Sequence, residues 1–329
     1  MARVLIAGAG ALGSVFGGFL RLAGDDVTLL GRAEHLDTIG SHGLVVDGLW
    51  GEHRATRFER TTDAGALAGA FDAVLITVKA FDTAAVVERV GAYVAPDGVM
   101  VSLQNGLGNV ESVVERVGAR RAIGGRVIFG AEILRPGAVR VTVFAEPVLL
   151  GAWPTDVAGA VYSPPAQERA RFWAERFDRA GIPTRFSADV HADLWGKVLY
   201  NAALNPLGAL LGVHYGALME NSETRAVMDR VIDEAHAVAL AEGARLPWAT
   251  AAEYREVFYQ RLVPATYHHR SSMLQDVERG RRTEVDAING AVWKRGAARG
   301  MVTPVNEVLT RLVNARSAEE RKRKDGSSN

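Results

Sequence analysis

An α/β domain built on a mainly parallel sheet, followed by an all-helical domain, is the fold class that three observations predict. Short apolar β-type runs alternate with helical stretches through the first half of the chain. A run of alternating β pattern then closes that half. Past about residue 187 strand signals vanish, while helical periodicity continues to residue 316. Compact apolar strands separated by helices belong to sheets covered on both faces, where no polar alternation is needed. A length of 329 residues also exceeds what a single core comfortably serves, so two domains are expected on length alone.

The elements follow in order. Residues 3–7 (RVLIA) read as a buried strand, then a glycine-rich turn, then a helix to about residue 23. Residues 27–30 (VTLL), 74–78 (VLITV), 99–103 (VMVSL) and 122–129 supply further strands, with a helix over 83–94. Residues 138–151 (AVRVTVFAEPVLLG) alternate, which suits an antiparallel addition to the sheet. A loop is expected over 155–167, a helix over 167–180 and a last short strand over 182–186 (IPTRF). Helices are then expected over 189–211, 220–242, 248–262, 273–279, 284–299 and 304–316. The domains are thus residues 1–187 and 188–316. The tail 317–329 (SAEERKRKDGSSN) is charged, lacks apolar anchors and is expected to be disordered.

Composition narrows the function classes. Lys plus Arg and Asp plus Glu are 38 each, so nothing favours nucleic acid or an anionic membrane surface. The absence of cysteine excludes disulfides, thiolate metal sites and a cysteine nucleophile. Residues 4–20 are apolar but glycine-rich with a weakly basic start, unlike a signal peptide. Residues 198–213 contain two Asn and a Pro and are too short to span a bilayer. A cytoplasmic protein with no membrane and no nucleic-acid partner is expected. His268–His269 lacks a carboxylate at ligand spacing, so no metal is expected.

The turn Gly8-Ala9-Gly10-Ala11-Leu12-Gly13 follows a strand and opens a helix, the context that gives G-x-G-x-x-G its meaning. Gly8 permits the tight turn, Gly10 leaves room for a pyrophosphate and Gly13 lets helix and strand pack closely. Phosphates would lie over backbone N–H groups at the positive end of the helix dipole. This makes the first domain Rossmann-type. The second strand ends Leu29-Leu30-Gly31-Arg32, where an NAD enzyme would carry a carboxylate for the ribose hydroxyls. Asp25 and Asp26 lie at the opposite end of that strand. Arg32 suits a 2′-phosphate, so NADPH is the expected cofactor, with Glu34 nearby as the dissenting charge. Lys79 and Asn105 follow strand ends, where ligands of open parallel sheets collect, and are candidate cofactor contacts.

Lys197, Asn201 and Asn205 recur every four residues in WGKVLYNAALNP and so share one helix face among apolar neighbours. One Lys and two Asn suit a half-buried wall aimed at an anionic or carbonyl group better than they suit a solvent face. Reducing a ketone needs a proton donor beside its oxygen, and Lys197 is the candidate if burial draws its pKa toward neutrality. Its charge would also stabilise a developing alkoxide. Ser271-Ser272-Met273-Leu274-Gln275-Asp276 and Thr283-Glu284-Val285-Asp286 look like helix starts, and Thr283 with Asp286 has capping-box spacing.

GAGALG, Thr-Val-Lys-Ala, Gln-Asn-Gly, the Lys-x3-Asn-x3-Asn-Pro helix, SSMLQD and RTEVDAING occur in the order found in the ketopantoate reductases. The chain resembles that family over about residues 1–315. The resemblance implies a Rossmann domain followed by a helical domain, and NADPH-dependent reduction of the small 2-keto acid ketopantoate to pantoate in pantothenate biosynthesis. It implies that Lys197 is the general acid and that Asn201, Asn205 and Ser272 contact substrate. Glu284 would hydrogen-bond the substrate hydroxyl and support the lysine. Gly8, Ala9, Gly10, Ala11, Leu12, Gly13, Arg32, Lys79 and Asn105 would form the cofactor site, with Asn105 able to touch substrate as well. Two rivals share these residues: a paralogue acting on another branched 2-keto acid, and a non-catalytic NADPH-binding sensor. A homodimer through the helical domain is left open as a partner.

Overall fold

A computed structural model describes residues 1–157 and 159–326, the side chains of 325 and 326 excepted. The chain divides into two compact units: residues 1–104, 108–156 and 160–193 in one, and 105–107, 157–159 and 194 onward in the other.

Unit 1 carries one ten-stranded sheet. Its strands are β1 (Arg3–Ala7), β2 (Asp26–Leu30), β3 (Leu44–Gly48), β4 (His53–Ala55), β5 (Glu59–Thr61), β6 (Phe71–Ile76), β7 (Val94–Ser102), β8 (Ala122–Arg135), β9 (Ala138–Ala152) and β10 (Thr184–Phe186). The spatial order is β4-β3-β9-β8-β7-β6-β1-β2-β5, with β10 beside β9. β1, β2, β5, β6, β7 and the start of β8 pair in parallel, and β8 turns back on β9 as the antiparallel addition that the alternating pattern suggests. The helices of this unit are α1 (Ala11–Leu22), α2 (Ala33–His42), α3 (Thr83–Val90), α4 (Asn109–Val117) and α5 (Pro164–Arg179). Val4, Ile6, Phe16, Val27, Leu29, Leu75, Val101, Trp173 and Phe177 belong to one core, which explains why these strands read as unbroken apolar runs. Successive strands leave β1 on opposite sides, β2 on one and β6 on the other, so the β1–α1 turn sits where the strand order reverses.

Unit 2 is helical. It holds α6 (Val190–Leu211, whose first turn belongs to unit 1), α7 (Tyr215–Glu220), α8 (Ser222–Ala241), α9 (Ala251–Val257), α10 (Val263–Ala265), α11 (Ser272–Glu278), α12 (Asn289–Ala297) and α13 (Pro304–Gly326). A π-helical segment, Phe258–Leu262, joins α9 to α10. Trp195, Leu199, Ala203, Met228, Ile232, Tyr254, Phe258, Leu274 and Val292 form its core. None of the described helices is long and apolar enough to cross a membrane.

Three expectations need correction. α13 does not stop at residue 316 but continues to Gly326, so the tail 317–329 is not disordered throughout its described part, and 327–329 lie outside the described residues. Pairs three residues apart, Lys322 with Glu319 and Arg323 with Glu320, support the added turns. Ser317 Oγ also donates to the Arg281 carbonyl, and Lys324 Nζ to that of Glu278. Second, Thr283 and Asp286 make no capping box. Residues 285–287 form a 3-10 turn, Thr283 Oγ1 is buried without a hydrogen-bond partner, and Asp286 accepts from Asn314 instead. Third, the loop before α5 ends at Ser163, because Pro164 and Pro165 suit the first turn of a helix.

Candidate active site

The β1–α1 turn distinguishes glycines that the fold needs from one that it does not. Gly8 has φ +115°, and a Cβ there would stand 2.6 Å from the Val78 backbone nitrogen. A Cβ at Gly13 would stand 2.3 Å from the Gly8 carbonyl oxygen and 2.6 Å from Thr77 Oγ1. Packing alone therefore demands glycine at both. Gly10 has an ordinary φ of −85°, and its Cβ would meet nothing nearer than the Gly8 oxygen at 4.0 Å. No protein atom requires a glycine there, and its bare face leaves room for a group over the turn. Gly10 is also the N-cap of α1 and supplies no side-chain cap, so the first N–H groups of the helix face that space uncapped by it. The turn fits a dinucleotide phosphate. Ala9 is buried, with its N–H on the Leu30 carbonyl, while Ala11 and Leu12 are half-buried in the first turn of α1.

Arg32 caps the N-terminus of α2 just beyond β2. Its side chain is exposed and, among the described residues, makes no side-chain hydrogen bond or ion pair. Glu34 is exposed in the first turn of α2. Asp25 stands at the other end of β2, buried and gripped by the Arg176 guanidinium and the Ala2 N–H at 2.9 Å, so it is committed to the fold. Lys79 is half-buried beyond β6, at the start of a 3-10 turn.

A buried polar chain that sequence reasoning missed fixes this rim. Gln104 Nε2 donates to the Val78 carbonyl at 2.8 Å and to Thr83 Oγ1 at 2.5 Å. Thr83 Oγ1 passes a bond to Asn109 Oδ1 at 2.8 Å, and Ser102 Oγ donates to Gln104 Oε1 at 3.1 Å. The backbone just before Lys79 is thus held by a buried amide. Nothing in the sequence marks Gln104 beyond its place beside Asn105.

In unit 2 the four-residue stripe of α6 is no solvent face. Asn201 and Asn205 are 8% and 5% exposed, and Lys197 is half-buried. Lys197 Nζ donates to Asn105 Oδ1 at 2.7 Å. Asn105 therefore meets the helix stripe directly, which its position after a strand did not foretell. The loop carrying Asn105 is anchored on the 3-10 turn Val285–Ala287: the Leu107 N–H donates to the Ala287 carbonyl at 2.8 Å. Gly106, at φ +83°, is needed there because a Cβ would come 2.4 Å from that same oxygen.

Tyr215 OH donates to Asn205 Oδ1 at 2.6 Å. Full burial pushes the Tyr215 hydroxyl well above its ordinary pKa, so it stays a donor and turns the Asn205 amide N–H2 outward from that bond. Glu284, 8% exposed, immediately precedes the 3-10 turn. Ser272 is exposed at the first position of α11, after Ser271, which caps that helix by accepting from the Leu274 N–H. Asn105, Lys197 and the segment of Glu284 are thus brought onto one framework; among the described residues Ser272 makes no side-chain hydrogen bond to it. Among the described residues no group of three or more His, Asp or Glu could hold a metal.

Residues 4–155 match the sequence model described as ketopantoate reductase PanE/ApbA, and residues 189–317 match its C-terminal counterpart. A 2-dehydropantoate 2-reductase of Aquifex aeolicus is 40% identical over 95% of this chain and 96% of its own length. The crystal structure of a PanE/ApbA family ketopantoate reductase from Ralstonia eutropha superposes with a TM-score of 0.83 at 30% identity, covering 97% of this chain and 99% of that one. A D-mandelate dehydrogenase solved with NADH and anilino(oxo)acetate gives a TM-score of 0.85 at 26% identity, covering 97% and 99%. The chain belongs to the ketopantoate reductase family.

Proposed function

We propose that the protein reduces ketopantoate to pantoate with NADPH, as a cytoplasmic enzyme of pantothenate synthesis. The observation that carries this reading is the Lys197 ammonium held by the Asn105 amide at 2.7 Å, on the helix face that it shares with buried Asn201 and Asn205. A neutral amide at hydrogen-bond distance orients the ammonium on that helix face. An ammonium carries three donors, so a bond to Asn105 is compatible with another to a substrate oxygen.

A reduced nicotinamide dinucleotide, its phosphates held at the glycine turn, would supply the hydride. Lys197 gives its proton to the carbonyl oxygen as that oxygen gains charge, so a ketone, a hydride and a proton become a secondary alcohol. Asn201 and Asn205 present neutral donors to the carboxylate and carbonyl. Glu284 accepts from the substrate hydroxyl, and Ser272 is a further contact at the start of α11. The cofactor contacts are Gly8, Ala9, Gly10, Ala11, Leu12, Gly13, Arg32, Lys79 and Asn105. NADPH is preferred over NADH because Arg32 stands beyond β2 exposed and without a side-chain partner among the described residues. On this reading unit 2 serves the substrate and a homodimer contact.

A second reading is favoured by the likeness to the D-mandelate dehydrogenase structure: the substrate is another 2-keto acid, aryl-substituted or branched. Steady-state oxidation of NADPH with ketopantoate, phenylglyoxylate and branched 2-keto acids separates the two. Ketopantoate should exceed every other acid in kcat/KM by at least about tenfold, the scale of one well-made contact. Turnover of another acid with ketopantoate inert selects the second reading. Tight NADPH binding without any turnover overturns both.

A further inference from the structure

We propose that Asn289 is a positioning residue for the proposed catalytic wall, acting through the carbonyl that Pro206 leaves unpaired. The inference rests on the assignment of Lys197, Asn201 and Asn205 to substrate.

Pro206 lies inside α6, and a proline has no N–H to give to the carbonyl four residues back. That carbonyl belongs to Ala202, next to Asn201 and between Lys197 and Asn205. In a buried helix an unmet carbonyl is expensive, and some other donor must reach it. Asn289 does: its Nδ2 donates to the Ala202 oxygen at 3.0 Å. Asn289 is fully buried at the first position of α12, directly after the segment that carries Glu284 and the Ala287 anchor of the Asn105 loop. One amide thereby ties that segment to the middle of the Lys197–Asn205 stripe.

The direction of the amide is imposed from further back. The Glu234 carboxylate, which can only accept, takes the backbone N–H groups of Val305 and Asn306 at 3.0 Å and Asn306 Nδ2 at 2.8 Å. Asn306 must then point its Oδ1 the other way, where it accepts from Asn289 Nδ2 at 3.0 Å. Asn289 in turn can present only its donor to Ala202. Its Oδ1 is left buried without a partner, so the demand for a donor at Ala202 prevails over the satisfaction of that oxygen. Glu234, Asn306, Asn289 and Ala202 form a one-directional relay that ends on the catalytic helix.

The test is a double-mutant cycle on the full-length protein, using Asn289→Ala and Pro206→Ala, which restores an N–H to the helix. Asn289→Ala alone should lower kcat by about tenfold or more, as loss of alignment does. Its dinucleotide Kd, followed by fluorescence, should stay within about twofold of wild type, because no dinucleotide contact has been touched. In the Pro206→Ala background, where Ala202 has its own intrahelical donor, the same change should lower kcat by less than about threefold. Equal losses in both backgrounds, or a kcat within twofold of wild type for Asn289→Ala, overturn the proposal. If Asn289→Ala does not fold, the cycle is run with Asn289→Ser under the same criteria. A wild-type protein with no turnover of any 2-keto acid removes the functional reading itself, whereas normal turnover with no coupling removes only the role of Asn289.

Discussion

Alanine substitutions at the three turn glycines should have opposite consequences for folding and for binding. At Gly13 the new methyl would sit 2.3 Å from the Gly8 oxygen, 2.6 Å from Thr77 Oγ1 and 2.8 Å from Ile6 Cγ2, all on the sheet or its turn. Overpacking of that kind costs about 1–3 kcal/mol or more. At Gly8 a 2.6 Å clash with Val78 N is joined by a φ of +115°, itself worth about 1–3 kcal/mol of strain. Gly10→Ala meets only open space at φ −85°. The stiffer unfolded chain contributes about 0.4–1 kcal/mol of stability, offset by a poorer N-cap costing about 0.5–1 kcal/mol. The net change is near zero. With about 2–4 °C per kcal/mol in a domain of this size, Gly10→Ala should melt within about 4 °C of wild type, while Gly8→Ala and Gly13→Ala fall further. Binding reverses the order: the Gly10 methyl occupies the phosphate space, and about 1–3 kcal/mol of overlap weakens the dinucleotide about 5- to 150-fold. Thermal melts and a tryptophan-fluorescence titration with NADPH read both effects. A Gly10→Ala protein that binds within twofold of wild type would show that no phosphate lies over the turn.

Lys197→Ala should lower kcat by at least about a hundredfold, the scale of a general acid; a loss below tenfold in steady-state assays removes it from that role. Arg32→Ala should weaken NADPH by about tenfold or more, the scale of a charged hydrogen bond, and leave NADH unchanged; equal effects in parallel titrations remove the 2′-phosphate contact. His35 accepts from the Gly137 N–H at Nδ1 (3.2 Å), so its Nε2 carries the proton toward Ser14 Oγ at 2.9 Å, and burial holds its pKa below the ordinary value of 6.5. Below pH 6.5 the unfolded chain takes up a proton that the folded chain refuses, so this stability is complete above 6.5 and is lost as pH falls. Melting temperatures should decline from pH 7 to 5, less steeply in His35→Gln; identical slopes in the two proteins refute the assignment.

Local rules carried the reading where one residue type has one physical use. The glycine turn was legible because its context, strand before and helix after, is itself local. The α6 stripe was legible because four-residue spacing has a fixed geometric meaning. α2, β3, β4 and β5 were silent: β4 and β5 are three residues long, and α2 buries only His35, Leu36 and Ile39. The end of α13 was misjudged because its support comes from distant carbonyls at Arg281 and Glu278, which a charged composition does not disclose. Pro206 lies inside the helix expected over 189–211, and nothing nearby announced that Asn289, 87 residues beyond Ala202, would serve the Ala202 carbonyl.

Asn105 is where a rule about sheets and a contact on a helix give different forecasts. Its position after β7 argues for a dinucleotide contact. Its Oδ1, however, accepts from Lys197 at 2.7 Å, and its loop is anchored on Ala287 rather than on the glycine turn. If the Lys197 contact is what matters, Asn105→Ala removes one hold on the ammonium. The loss should then fall on kcat, by about tenfold or more as for other losses of alignment, with the NADPH Kd within about twofold of wild type. Asn105→Asp makes the contrast sharper, because a carboxylate keeps the distance but offsets the positive charge of the ammonium. It should bind dinucleotide normally and shift the alkaline limb of the kcat profile upward, since a neighbouring negative charge raises the lysine pKa. A raised NADPH Kd with kcat intact would return Asn105 to the cofactor.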